Sequence, residues 1–144
     1  MKLAPIVAFA ALSCVLAACA HGPGAYEDEA GNWQRAFRTD QPSGIEVVRS
    51  RVVRLGSGGT LGWFFLRATP ARETELFAND LEPVPDAEAK VVRADARGGP
   101  AWFAPNAISG YAVWRTMAGK EFLPVILVFK DRDTGALYVH IHPR

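Results

Sequence analysis

The stretch that decides the fold is FLPVILVFK-DRDTG-ALYVHIH, residues 122–142. It begins with a predicted strand whose residues 125–129 are all apolar, which is typical of a strand buried on both faces. Residues 131–135 are polar and end in Gly135. This pattern predicts a hairpin loop with the glycine in the left-handed conformation.

The last part of that stretch alternates apolar and polar side chains, which predicts a strand with one face toward the core. The apolar set is Leu137, Val139 and Ile141, and the polar set is Tyr138, His140 and His142. A His-x-His pair on a strand can ligate zinc or copper if a third ligand is present. Because no spacing signal supplies that ligand, we expect His140 and His142 to be exposed on the sheet, with no metal and no other cofactor.

More strands and one helix are predicted on the N-terminal side of this hairpin. A helix is expected to begin at Thr69-Pro70, because threonine caps helices and proline suits the first helical position. The glycine-rich residues 56–59 predict a turn between two strands, and residues 82–86, which contain two prolines, predict a loop. Strands are expected at residues 45–54, 61–68, 89–94, 111–116, 122–130 and 136–142.

Together these elements predict an α+β fold with a single antiparallel sheet of about five to six strands and one covering helix. The chain has 144 residues, of which 49% are hydrophobic and 22% charged, and a formal net charge of +1. Its aromatic content argues against a disordered protein, and its near-zero charge argues against a nucleic-acid-binding protein.

The N-terminus predicts a secretory signal. Lys2 is the only charged residue among the first 20, and the apolar run that follows it ends in small residues. Leu16-Ala17-Ala18-Cys19 resembles the lipobox of bacterial lipoproteins. The resemblance covers residues 1–19 and implies cleavage between Ala18 and Cys19, with lipid attached to the Cys19 sulfur. It also implies that the protein lies in the cell envelope. By the same resemblance, Ala20 after the cysteine favours attachment to the outer membrane, with the protein facing the periplasm.

Three regions follow from this reading. Residues 1–18 are expected to be a lipoprotein signal peptide, residues 19–43 the lipidated cysteine and a tether, and residues 44–144 a single globular domain. Trp33 and Phe37 interrupt the tether at helical spacing, and we expect them to dock on the domain rather than reach a partner.

Cysteine chemistry is excluded from the mature chain if this processing occurs. Cys14 leaves with the signal peptide and Cys19 carries the lipid, and the sequence has no other cysteine. Disulfides, thiolate metal sites and cysteine nucleophiles are then all unavailable.

Other motifs predict structure rather than chemistry. Asp131-x-Asp133-x-Gly135 lacks the glutamate that an EF-hand loop needs at its twelfth position, where His142 stands. The glycines at residues 56–59 lack the lysine of a phosphate-binding loop. Four carboxylates that could form a glycosidase pair stand in a proline-rich segment, which predicts a solvated loop. They are Asp80, Glu82, Asp86 and Glu88.

An aromatic loop offers the best candidate for a contact with a partner. It contains Trp102 and Phe103, side chains that can anchor a protein or stack on a sugar. Trp63 and Trp114 are expected in the core. We therefore expect a non-catalytic binding or structural module, attached to the membrane by lipid, whose partner is an envelope protein or a cell-wall component. A small-ligand carrier with a pocket between sheet and helix is an alternative, and a metal-assisted hydrolase using His140 and His142 is another.

Overall fold

The computed structural model describes residues 24–79, 81–96, 98–106, 110–117, 119 and 124–144. One antiparallel sheet of seven strands dominates it, with the order β1-β2-β3-β7-β6-β5-β4. The strands are β1 Ala25–Glu27, β2 Ile45–Arg54, β3 Thr60–Ala68, β4 Leu81–Val84, β5 Tyr111–Thr116, β6 Val125–Asp131 and β7 Leu137–His142. The prediction of an α+β fold with a single antiparallel sheet is confirmed, and the sheet is larger than predicted.

Three α-helices accompany the sheet where one was predicted. They are α1 Asn32–Phe37, α2 Pro70–Asn79 and α3 Asp86–Asp95, and a short 3-10 helix covers Ala104–Asn106. Helix α2 begins where the Thr69-Pro70 pair predicted, and the Glu73 N–H donates to the Thr69 carbonyl at 2.9 Å.

The chain forms two antiparallel meanders that meet at the centre of the sheet. β1, β2 and β3 form the first, and β4 to β7 form the second in the reverse direction. β3 and β7 join them, with Phe64 opposite Val139. The hairpin of β6 and β7 therefore lies at the centre of the sheet, as a segment apolar on both faces requires.

Both predicted hairpin turns are present. Gly58 has a φ of 84° in the turn between β2 and β3, and Gly135 has a φ of 72° in the turn between β6 and β7. Asp131 Oδ1 accepts hydrogen bonds from the N–H groups of Asp133 and Thr134, both at 2.9 Å. These donors, that of Thr134 first, hold the pKa of the Asp131 carboxylate below its ordinary value.

The prediction of an edge strand at residues 89–94 is wrong, because this segment belongs to α3. Ala89, Val92 and Ala96 are buried at helical spacing, whereas Val91 is 69% exposed. The sequence contained this pattern, together with Asp86 and acidic neighbours that favour a helix N-terminus. Two valines side by side suggested a strand instead.

The prediction of a loop at residues 82–86 is also wrong. Glu82 and Pro83 lie in β4, and Asp86 begins α3. β4 forms the edge of the sheet and pairs only with β5, so a proline that lacks an N–H group is tolerated there.

The folded unit begins before the predicted boundary at residue 44. β1 pairs with β2 from Ala25 opposite Val53 to Glu27 opposite Arg51. Trp33 in α1 is 5% exposed, and its ring stacks on Phe37 at 4.2 Å. The expected docking of these two aromatics is confirmed, because both rings pack against Phe64 in the core. Residues 19–23 of the predicted tether lie outside the described residues.

A buried asparagine holds this N-terminal segment against the sheet. Asn32 is 1% exposed, and its Nδ2 donates to the Tyr26 carbonyl at 3.1 Å and to Ser50 Oγ at 3.0 Å. Its Oδ1 accepts a hydrogen bond from Arg35 at 3.0 Å. One side chain thus connects β1, α1 and β2, and its polar atoms are satisfied despite their burial.

Each face of the sheet is covered, and each has its own core. The α1 face carries mainly aliphatic side chains under α1, among them Val52, Phe64, Leu66, Leu137, Val139 and Ile141. The α3 face lies under α3 and residues 98–106 and is rich in rings, among them Trp63, Phe103, Tyr111, Phe129, Tyr138 and His140. Successive residues of β3 and β7 contribute to opposite cores.

Candidate binding surface around Trp102

The two histidines of β7 lie on the α3 face beside Tyr138, as the alternation predicted. His140, however, is only 2% exposed, so the expectation of an exposed pair is wrong for this residue. Its ring stacks on Trp63 with centroids 5.1 Å apart, and Phe103 lies 6.4 Å away. His140 is therefore part of a buried aromatic layer.

Each of these histidines has a backbone carbonyl within hydrogen-bond distance of its Nδ1 atom. His140 Nδ1 lies 2.9 Å from the Gly62 carbonyl, and His142 Nδ1 lies 2.9 Å from the Pro143 carbonyl. Because a carbonyl oxygen only accepts, each Nδ1 carries the proton and donates it. The Nδ1 atoms are thus engaged with the backbone. Within the described part of the chain, no group of three or more His, Cys, Asp or Glu side chains is arranged to hold a metal ion.

The layer around His140 is tightly packed against the segment that covers it. A Cβ on Gly99 would lie 2.7 Å from Trp63 Nε1, which is closer than real side-chain contacts allow. Trp63 is 5% exposed, and its Nε1 has no hydrogen-bond partner among the described residues. Only a glycine permits the backbone at residue 99 to approach the indole so closely.

Phe103 is a core residue and not a contact residue, which corrects the prediction for this member of the pair. It is 1% exposed and makes edge-on contacts with Phe129 and Tyr138, with centroids 6.0 and 5.8 Å away. The ring anchors the segment that carries Trp102, whose own ring lies 6.2 Å from it. Of the two predicted contact residues, only Trp102 reaches the surface.

Trp102 is half-buried above the β1–β2 edge of the sheet. Its Nε1 donates to Glu27 Oε1 at 3.3 Å, and the guanidinium of Arg49 lies 5.5 Å from its ring centroid. Arg49 also pairs with Asp28 at 2.8 Å, and Arg51 lies 3.7 Å from Glu27. We call these five residues, Glu27, Asp28, Arg49, Arg51 and Trp102, the Trp102 surface.

The Trp102 surface combines an oriented indole with balanced charges. Glu27 and Arg49 contact the indole, and each is paired with a second charged side chain, Arg51 and Asp28 respectively. Sequence reasoning found Trp102 but missed Arg49 and Arg51. A signal was present, because the two arginines are two residues apart in a predicted strand and so share a face.

Two further rings extend the α3 face beyond Trp63. Phe65 and Tyr138 stack with centroids 4.9 Å apart and planes 9° apart, and both are half-buried. Burial raises the pKa of Tyr138, and the nearby Asp131 carboxylate raises it further. The pKa of Tyr111 is also raised, first by burial and then by Tyr138 and Asp131.

The four carboxylates considered for glycoside hydrolysis form structural ion pairs where they are described. Glu82 and Glu88 both bind Arg115, at 3.0 and 3.2 Å, and the hydrogen bond from Arg115 to Glu82 is the main reason that the pKa of Arg115 is raised. Asp86 pairs with Arg132 at 3.0 Å. Asp80 lies outside the described residues. The contacts of Arg115 connect α3, β4 and β5, so Glu82 and Glu88 have a structural role.

A cleft that the sequence did not reveal lies between α1 and the ends of β3, β6 and β7. Its volume is about 430 Å³. We call it the α1 cleft, lined chiefly by Phe37, Arg38, Thr60, Ile126, Ile141 and Arg144. No local pattern could have found it, because its lining comes from both ends of the described chain.

Residues Ala18 and Cys19 lie outside the described residues, so the predicted processing site has no structural account here. No helix in the described part of the chain combines the length and apolarity that a membrane span requires.

Comparison with protein-family models, with curated proteins and with solved structures found no significant match. The function proposed below therefore rests on the sequence and on the geometry of the described residues.

Proposed function

We propose that this chain is a lipid-anchored protein of the bacterial cell envelope, facing the periplasm at the outer membrane, and that it acts as a non-catalytic binding module through the Trp102 surface. The observation that carries the proposal is the half-buried indole of Trp102, held in place by Glu27 and Arg49. An aromatic side chain oriented before binding loses little conformational entropy when a partner covers it.

The lipobox-like residues 16–19 support the anchored location. Gly24 is the first described residue, and its carbonyl accepts a hydrogen bond from Arg54 N–H at 2.9 Å. The five Cα-to-Cα steps from Cys19 to Gly24 span at most about 18 Å when fully extended. A lipid on Cys19 would therefore hold this end of the sheet close to the membrane surface.

The anchor is tested by the mass and location of the protein in a bacterial host. We expect the wild-type chain to begin at Cys19, to carry acyl mass and to sediment with membranes. A Cys19→Ser variant should lack the acyl mass and leave the outer-membrane fraction, whereas Cys14→Ser should behave as wild type. Intact-mass spectrometry that finds no acyl group on the wild-type protein would overturn the anchor.

The contact surface is tested by comparing Trp102→Ala with Val91→Ala. Val91 is an exposed apolar side chain on α3, and it lies outside the Trp102 surface. Crosslinking in envelopes should yield a discrete adduct that Trp102→Ala weakens at least about tenfold, as loss of a central aromatic contact does, and that Val91→Ala preserves. Equal adduct formation by both variants, each shown to be folded by circular dichroism, would count against the Trp102 surface.

A second candidate, a small-ligand carrier, is favoured by one observation. The α1 cleft lies between a helix and the sheet, and its volume of about 430 Å³ falls within the range of ligand pockets. The hydrolase alternative gains no comparable support, because the described residues place no third ligand group with His140 and His142.

A further inference from the structure

The α1 cleft is amphiphilic. Its floor is formed by apolar side chains from α1, β6 and β7: Ala36, Phe37, Ile126 and Ile141. Phe37 and Ile126 are only partly buried, so their apolar surface faces the cleft and not only the core. At the rim stand Arg38 and Arg144, both exposed. An occupant would therefore need an apolar part and a negatively charged part.

The lining of the α1 cleft carries more positive than negative charge. Its described side chains include two arginines and no carboxylate, so the balance stays positive even when the α-carboxylate of Arg144 is counted. A second cleft of about 380 Å³ beside β2 has the opposite balance, with Asp28, Glu29 and Glu46 against Arg49. Since the two clefts have similar volumes, charge rather than size distinguishes what each can hold.

Arg38 occupies a position that usually takes glycine. It ends α1 with a φ of 61°, and its N–H donates to the Gln34 carbonyl at 3.0 Å. Left-handed backbone at a helix C-terminus favours glycine, because a Cβ introduces strain. An arginine there places a guanidinium at the rim of the cleft at a cost in backbone conformation, which points to a role for that charge.

The position of the cleft relates it to the membrane, and this step rests on the proposed anchor. Gly24 is hydrogen-bonded to Arg54, and Arg54 lies opposite Thr60, which lines the cleft. Gly24 is therefore two strand spacings, about 10 Å, from Thr60. A lipid on Cys19 would hold the mouth of the cleft at the end of the domain nearest the bilayer.

We infer that the α1 cleft binds an anionic phospholipid from that bilayer. The phosphate lies between Arg38 and Arg144, since guanidinium groups bind phosphate oxygens through paired donors. The first part of an acyl chain covers Phe37 and Ile126. Free phosphate shares the headgroup chemistry, and it lacks the apolar part that the floor of the cleft would contact.

Calorimetry on the full chain in a non-ionic detergent tests this site. The probes are dihexanoyl phosphatidylglycerol, dihexanoyl phosphatidylcholine and inorganic phosphate. We expect the anionic lipid to bind at least about tenfold more tightly than the zwitterionic lipid, and its affinity to fall as salt is raised. Inorganic phosphate that binds as tightly as the anionic lipid would overturn a lipid occupant. Equal affinity for the two lipids, or binding of neither, would overturn the site.

Two variants separate a binding role of Arg38 from a structural one. Arg38→Gly removes the charge and relieves the left-handed strain, so we expect an unchanged or higher melting temperature and loss of the preference for anionic lipid. Arg67→Ala removes an exposed arginine on β3 that pairs with Glu46 at 3.6 Å, and it should preserve the preference. A retained preference in Arg38→Gly would overturn the role of Arg38.

The anchor and the cleft can fail separately. The calorimetric probes are added in solution, so binding does not depend on acylation of Cys19. A wild-type protein without acyl mass that still prefers the anionic lipid overturns the proposed anchor and supports the cleft. An acylated protein that binds neither lipid overturns the cleft and supports the anchor.

Discussion

The two faces of the sheet are packed with different chemistry. On the α1 face, aliphatic side chains such as Val139 and Ile141 surround Phe64, and α1 covers only part of them. On the α3 face, His140 is enclosed by the rings of Trp63 and Phe103. Both faces bury their central residues completely, and the α1 face retains a wide cleft beside its helix.

This difference shows how one alternating strand can support two kinds of packing. β7 sends Val139 to one face and His140 to the other, and each finds neighbours of its own type. Stacked rings require close approach of the covering backbone, which Gly99 permits at Trp63. The six-residue helix α1 covers less surface and leaves the end of the α1 face open.

The largest expected effect is loss of a central ring from either face. Phe64 and Phe129 are both 0% exposed, one in each core. Replacing either with alanine should lower the free energy of unfolding by about 3–5 kcal/mol, because each change creates a large cavity. Urea unfolding measures both, and a loss below about 1 kcal/mol for either would show that its face is not a core.

Asn32→Ala should act on the α1 face alone by weakening the attachment of the N-terminal segment. The change leaves polar groups of Tyr26 and Ser50 without their partner and should cost about 1–3 kcal/mol. Limited proteolysis should then cut near α1 before the rest of the domain. The control is Gln34→Ala in the same helix, an exposed position where we expect a change within about 0.5 kcal/mol.

Gly99→Ala tests the tightness of the α3 face. The new methyl group would meet Trp63 Nε1 at 2.7 Å, so we expect overpacking to destabilise the protein by about 1–3 kcal/mol. Gly110→Ala is the matched control, because no atom of the described residues would lie within 4 Å of a Cβ at that position. The melting temperatures of both variants test this prediction. Equal melting temperatures would mean that the segment around residue 99 moves to accommodate the methyl group without loss of stability.

The smallest expected effect is a loss of stability at alkaline pH that originates on the α3 face. Burial raises the pKa of Tyr111 and Tyr138 in the folded protein. Above about pH 10, the two tyrosines lose their hydroxyl protons in the unfolded chain before they lose them in the folded protein. The stability that the neutral tyrosines contribute below that pH is therefore lost as pH rises through their folded pKa values. The double variant Tyr111→Phe/Tyr138→Phe should lose less stability between pH 8 and pH 11, measured by urea midpoints. An identical decline in both proteins would contradict this assignment.

Much of the sheet was predictable because the signal in its long strands is local. Residues 45–54 and 111–116 were predicted with the bounds of β2 and β5, and the turns at Gly58 and Gly135 were correct. Of the short elements, β1 was missed, and α1 was indicated only by the helical spacing of Trp33 and Phe37. β1 has three residues and α1 has six, and helices of that length are stable only through tertiary packing. Their sequences therefore carry little signal of their own.

The candidate sites were predictable only in part. Alternation placed His140 on one side of β7 but could not show that Trp63 and Phe103 would cover it. Composition singled out Trp102 but gave no indication of Glu27, which lies 75 residues away in sequence. Exposure of a side chain depends on what packs over it, and that information is not local.

By itself the sequence determined five of the seven strands, the side of β7 that each residue faces, and the cysteine at position 19 with its lipobox-like neighbours. These follow from residue spacing, because a strand repeats every two residues wherever it lies. The tertiary structure decided that β3 and β7 meet at the centre, that residues 24–37 join the sheet, and that Arg38 and Arg144 share a cleft. Closing a longer loop adds only about 0.6 kcal/mol per doubling of its length, so sequence separation alone does not select which segments become neighbours.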